Sequence, residues 1–161
     1  MIKRAALSSC GVYRYNLLRR WSNRGLVNFI MLNPSTADVE LDDPTIRRCI
    51  GFARDWGYGG IIVTNLFAYR STDPRTMAQK CSENFPITGF DNELYVLDAF
   101  KRAAFHVAAW GTWGKLIGAD GRMREYAASR NVLLYHLGVS KEGYPRHPLY
   151  LASSTEPEML A

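Results

Sequence analysis

The chain has 161 residues, which suits a single domain spanning residues 1–161 with a full hydrophobic core. A composition of 47% hydrophobic and 22% charged residues excludes a disordered chain, a coiled coil and a collagen-like repeat. Basic residues outnumber acidic ones by 20 to 15; the net charge of +5 suits nucleotides, nucleic acid or other anions without demanding them.

Residues 11–21 alternate in part and read as one arm of an N-terminal β-hairpin, with Ser22-Asn23-Arg24-Gly25 as its turn. Residues 26–32 read as a buried strand that ends at Asn33-Pro34-Ser35. Asp43 is placed as an N-cap, Pro44 as the first helical residue and Gly57 as the stop; Ile46, Cys49, Ile50 and Ala53 recur at helical spacing between them. The β-branched run 61–67 follows and has the character of a central parallel strand. Residues 70–90, with Pro74 and Pro86, read as a long polar connection. A helix is expected over 91–104 with Leu94, Leu97, Phe100 and Ala104 on one face, then a strand over 106–110, a helix over 115–130 and a buried strand over 132–137. This alternation predicts an α/β fold with a mainly parallel sheet covered on both sides.

No stretch reaches the roughly 20 apolar residues of a membrane span, and the first residues do not read as a signal peptide. Cys10, Cys49 and Cys81 are an odd set without close spacing, which argues against a disulfide framework or zinc site and favours a cytoplasmic setting. His106, His136 and His147 have no metal-ligand spacing, so neither metal nor cofactor is expected.

In an open parallel sheet, ligands bind beyond the carboxyl ends of the strands. All four expected strand ends carry polar, glycine or aromatic residues. Asn33, Ser35 and Thr36 form a stiff turn that either holds an anion or water or is a plain turn closed by Asn33 on its own backbone. Asp38, Asp42 and Asp43 follow closely and either order water or a cation or face solvent, with Asp43 already suited to a cap. Asn65 sits at the end of an apolar strand, where its amide must find partners: a neighbouring loop, or the edge of a nucleobase. Arg70 and Arg146 suit phosphate contacts or plain exposure. Trp110 and Trp113 suit base stacking or the core. His147 suits donation to a developing anion or the surface.

Together, residues 31–38, 43–48, 64–70, Trp110-Gly111 and 145–151 resemble the uncharacterised family known as domain of unknown function 1643, over roughly residues 10–151. A more distant resemblance is to the uracil-DNA glycosylase superfamily. Leu32-Asn33-Pro34 is similar to the first motif of its mismatch-specific branch, Thr64-Asn65 to its base-reading strand, Trp110-Gly111 to the glycine after the third strand and His147-Pro148 to its final motif. That resemblance implies a three-layer α/β/α fold around a four-stranded, mainly parallel sheet. It implies hydrolysis of an N-glycosidic bond, with Asn33 orienting water, Asn65 holding the base and His147 donating to it. Met31 stands where the first motif has glycine, and Leu149-Tyr150 where a duplex-wedging Ser-Pro is usual. A single strand or a free nucleotide is therefore the expected partner rather than a duplex. The alternative from another class is a non-catalytic module that binds a nucleotide or modified base.

Overall fold

A computed structural model describes residues 1–161. At its centre lies β3 (Leu26–Met31), all six residues of which are buried. A strand covered on both faces belongs inside a sheet. Accordingly β3 runs parallel to β4 (Gly60–Asn65) on one side and to β5 (Phe105–Ala108) on the other. Next to β5 is the two-residue β6 (Tyr135–His136), also parallel. Beyond β4 come β2 (Arg14–Arg20) and then β1 (Ile2–Leu7), each antiparallel to its neighbour. The far edge is closed by β7 (Glu158–Met159), antiparallel to β6. The result is a mixed sheet of seven strands in the order β1-β2-β4-β3-β5-β6-β7.

Side chains alternate across β3 and so divide the core. Val27, Phe29 and Met31 pack with Ile46, Cys49, Phe52 and Ala53 of α1 (Pro44–Asp55). On the opposite face Ile30 packs with Met77 of α2 (Pro74–Ser82), Val96 and Phe100 of α3 (Asn92–Arg102) and Ala127 of α4 (Ala119–Ser129). Burying each large apolar side chain of this set contributes about 1.5–3 kcal/mol. The chain is thus mixed α/β, with one helix on one face and three on the other. No helix is long and apolar enough to cross a membrane.

Several sequence expectations need correction. The hairpin is formed by β1 and β2, not by residues 11–21 and 26–32. The amides of Trp21 and Ser22 both bond to the Gly59 carbonyl, so the supposed turn is a crossing that carries the chain over the start of β4 to its other side. A Cβ at Gly59 would lie 2.6 Å from the Arg24 carbonyl oxygen, so the crossing requires glycine there. In place of the expected four-stranded, mainly parallel sheet there is a mixed sheet of seven strands, in which β1, β2 and β7 pair antiparallel with their neighbours. The supposed polar connection contains α2: Pro74 begins that helix instead of breaking structure, and the Asp73 side chain caps it through the Arg75 amide. In α3 the buried residues are Asn92, Val96, Ala99 and Phe100, while Leu94 faces solvent. The helix expected over 115–130 divides into a 3-10 segment, Thr112–Gly118, and α4, because Ile117 adopts a left-handed conformation. Only Tyr135–His136 of the expected last strand pairs as β6.

A polar chain ties the three central strands together inside this core. Thr64 donates to the Asn28 carbonyl oxygen at 3.0 Å, and the Asn28 amide meets Nδ1 of His106 at 3.2 Å. All three side chains are buried. With the Asn28 amide donating, Nδ1 of His106 is an acceptor and the ring is neutral. Burial pushes the His106 pKa down to about 4 from an ordinary 6.5. Between those values the unfolded chain takes up a proton that the folded chain refuses, so stability falls as pH falls through that window. The loss attributable to His106 should be on the order of 3 kcal/mol between pH 7 and 4. Denaturant unfolding across that range should show the slope in the wild type, and a His106→Leu variant should show a shallower one.

Candidate functional site

The carboxyl ends of β3, β4 and β5 open into one cleft of about 390 Å³, within the size range of small-ligand sites. Asn33, Ser35, Asn65, Trp110, Gly111 and His147 all line it. Thr36, Asp38, Arg70 and Arg146 do not. Asp38 accepts the amides of Glu40 and Leu41, which turn the loop and hold its carboxyl below the usual range. Arg70 lies outside the lining and donates to the Gly11 carbonyl at 3.4 Å. Thr36 is exposed. Arg146 lies in a neighbouring groove, where its Nε donates to the Val139 carbonyl. The three clustered aspartates have separate tasks: Asp38 turns the loop, Asp42 pairs with Arg19, and Asp43 caps α1. No group of acidic, histidine or cysteine side chains is arranged to hold a metal.

Asn33 is fastened through its amide nitrogen, which lies 3.1 Å from the Tyr69 carbonyl and 3.0 Å from that of Ser71. These bonds clamp the end of β3 to the segment after β4. The Asn33 carbonyl oxygen has no protein donor and is left as an oriented acceptor.

Asn65 is fully buried at the end of β4, and neither atom of its amide has a protein partner. Its backbone is held firmly: the Asn92 side chain donates to the Asn65 carbonyl at 2.9 Å. A buried amide with both ends unsatisfied is unusual and costs on the order of 1–3 kcal/mol per group.

His147 reaches the cleft through a backbone latch. The Gly111 amide donates to the Pro145 carbonyl at 2.8 Å, joining the end of β5 to the loop that carries the imidazole. Nδ1 of His147 accepts the Leu149 amide at 3.2 Å, which places the proton of the neutral ring on Nε2. Partial desolvation at the cleft mouth lowers its pKa, with the Asp43 carboxylate pulling the other way. Asp43 itself lines the cleft; Oδ1 accepts the Ile46 amide at 2.9 Å, and Oδ2 has no protein partner.

The two tryptophans differ. Trp110 is buried and donates from its indole to Asp120 at 2.8 Å, with only part of the ring facing the cleft. Trp113 is half-exposed on the cleft wall and pairs with no other ring, so it offers the freer stacking surface.

Arg14 is a cleft residue that reading the sequence did not single out. It is 2% exposed, donates from Nη1 to the Ala37 carbonyl at 2.7 Å and leaves Nε unpartnered. Burial pushes its pKa down to about 10, against the nearby Asp43, so it remains charged at neutral pH. A register shift brings it there. Ala6 pairs with Asn16 but Leu7 with Arg14, a β-bulge that inserts one extra residue into β2. Bulges re-aim side chains in this way. A partial alternation of apolar and polar residues gives no sign of such a shift.

Gly111 has φ 73° and ψ −173°, a backbone conformation open essentially only to glycine. Gly111→Ala should cost about 1–3 kcal/mol and loosen the loop carrying His147. Thermal melts, together with the amide exchange rate at position 111, check both effects.

No curated protein and no solved structure matches this chain. A protein-family model described as "Protein of unknown function (DUF1643)" matches residues 14–149, most of the chain and all of the cleft, and the chain belongs to that family.

Proposed function

We propose that the cleft binds a nucleobase and that the protein is a glycosylase-like hydrolase of N-glycosidic bonds. The observation that carries this reading is Asn65. Its carboxamide offers a donor and an acceptor side by side, the pattern that pairs with the edge of a base. A base reaching it would satisfy a polar group that the protein leaves unpaired. The half-exposed Trp113 gives a ring for the base to stack on.

The remaining residues supply a consistent chemistry. The Asn33 carbonyl oxygen orients a water toward the anomeric carbon of the sugar. The water oxygen bonds to that carbon, the C–N bond breaks, and its electron pair leaves on the base. Nε2–H of His147 donates to the departing base and stabilises its charge. The free carboxylate oxygen of Asp43 takes the proton that the water loses. Each role asks only for a hydrogen bond or a proton transfer, which aimed groups perform well.

The strand arrangement also favours this reading. Within the mixed sheet, β4, β3, β5 and β6 form a parallel set, with the cleft at their carboxyl ends. The likeness to the glycosylase superfamily rests on the motifs at the four strand ends and on their order along the chain. The phosphate roles first expected of Arg70 and Arg146 are not needed for base binding, since neither lines the cleft.

Asn65→Ala tests the reading. The side chain makes no hydrogen bond within the protein, so melting temperature should be unchanged or raised. Nucleoside affinity should fall roughly tenfold to a hundredfold, the worth of a bidentate base contact. A large loss of stability with unchanged binding would make Asn65 a scaffold residue and remove the base from the cleft. Release of free base, followed by chromatography for wild type and His147→Ala, separates hydrolysis from the alternative of a binding module. Tight binding without release would establish the module.

A further inference from the structure

We propose that Arg14 forms an anion subsite within the cleft and that the group it holds is the terminal phosphate of a nucleoside monophosphate. The ligand class rests on the base-binding reading above; the anion subsite stands on Arg14 itself.

The contrast with Arg19 is informative. Both guanidiniums are buried on the same face of β2. Arg19 is saturated: it pairs with Asp42 at 2.8 Å and donates to the carbonyls of Leu18 at 3.0 Å and Asp38 at 2.7 Å. Arg14 has a single partner, the Ala37 carbonyl, and makes no ion pair. Its Nε is buried without an acceptor, and Nη2 has none within the protein either. An uncompensated buried charge is costly. A guanidinium with two nitrogens free presents the planar fork that matches a phosphate oxygen pair.

The surroundings suit the same group. The hydroxyls of Ser35 and Thr45 line the cavity, and neither has a hydrogen-bond partner within the protein. The amino end of the twelve-residue α1 opens there too, bringing the positive end of its dipole. The floor is closed by Met31, Ile46 and Val63, all buried. A group that reaches Arg14 therefore ends there, which suits a phosphomonoester; a diester within a strand needs a second way out. Asp43 faces the same cavity and makes no ion pair with Arg14, so it leaves the guanidinium free while opposing a dianion.

Calorimetric titration of the whole chain tests this with the four common ribonucleosides, their 5′-monophosphates, inorganic phosphate and a short single-stranded oligonucleotide lacking a terminal phosphate. Wild type should bind a monophosphate roughly tenfold to a hundredfold more tightly than its nucleoside. Arg14→Gln should abolish that advantage and leave nucleoside affinity unchanged; Arg14→Lys should keep part of it. Asp43→Asn should tighten phosphate binding. The melting temperature of Arg14→Gln should be held or raised, since an unpaired buried charge is removed, and this shows that the variant folds. Equal affinity for nucleoside and monophosphate in wild type overturns the subsite and leaves the base reading standing. Arg14-dependent binding of inorganic phosphate with no binding of any nucleoside supports the subsite and overturns the base reading. An oligonucleotide that binds as tightly as the monophosphate overturns the terminal phosphate.

Discussion

Two buried guanidiniums on one face of β2 organise the amino-terminal side of the cleft. Arg14 and Arg19 are five residues apart, so in a regular strand they would face opposite sides. The bulge at the β1–β2 junction turns Arg14 to the side of Arg19. Buried charges call for acceptors, and apart from the Leu18 carbonyl that Arg19 also reaches, those present come from one loop. Ala37 and Asp38 give carbonyl oxygens and Asp42 gives a carboxylate. That loop joins Asn33, at the end of β3, to Asp43, at the start of α1. Solvating the arginines therefore sets where the Asn33 amide and the capping carboxylate of Asp43 stand.

The rest of the cleft depends on where β3 ends. Its central place gives it neighbours on both sides, and the Thr64–Asn28–His106 chain ties β4, β3 and β5 on the face away from α1. The three strands are thereby held at a common height, and their carboxyl ends deliver Asn33, Asn65 and Gly111 together.

Much of this was legible in the sequence because it is local. The Asp43-Pro44 start of α1 and the apolar spacing behind it are signals carried within one helix. The β-branched run of β4 and the polar residues at the strand ends are equally local, and seven of the residues singled out there line the cleft. The Asp73-Pro74 start of α2 is just as local, but the polar residues around it and the second proline, Pro86, give the stretch the look of a connection. The rest of what stayed hidden depends on distant partners. The pairing of β2 with β4 instead of β3 is decided by the crossing at Gly59, which brings together residues 21, 22 and 59. Arg14 looks like an ordinary basic residue of an edge strand, because neither its burial nor its missing counter-ion exists until the bulge and the 37–42 loop meet.

The two walls of the cleft are anchored very differently. On one side, Asn33 grips the carbonyls of Tyr69 and Ser71, the amide of Ser71 bonds back to the Pro34 carbonyl, and Asn92 grips the carbonyl of Asn65. These cross-links make the ends of β3 and β4 a single stiff jaw. The opposing loop, with His147, meets the end of β5 through the hydrogen bond from Gly111 to Pro145. The same loop is tied at its base by the Arg146 amide, which donates to the Gly138 carbonyl, while the His147 side chain beyond it is exposed. A guest in the cleft therefore meets a cross-linked wall on the β3–β4 side and a single exposed ring on the other.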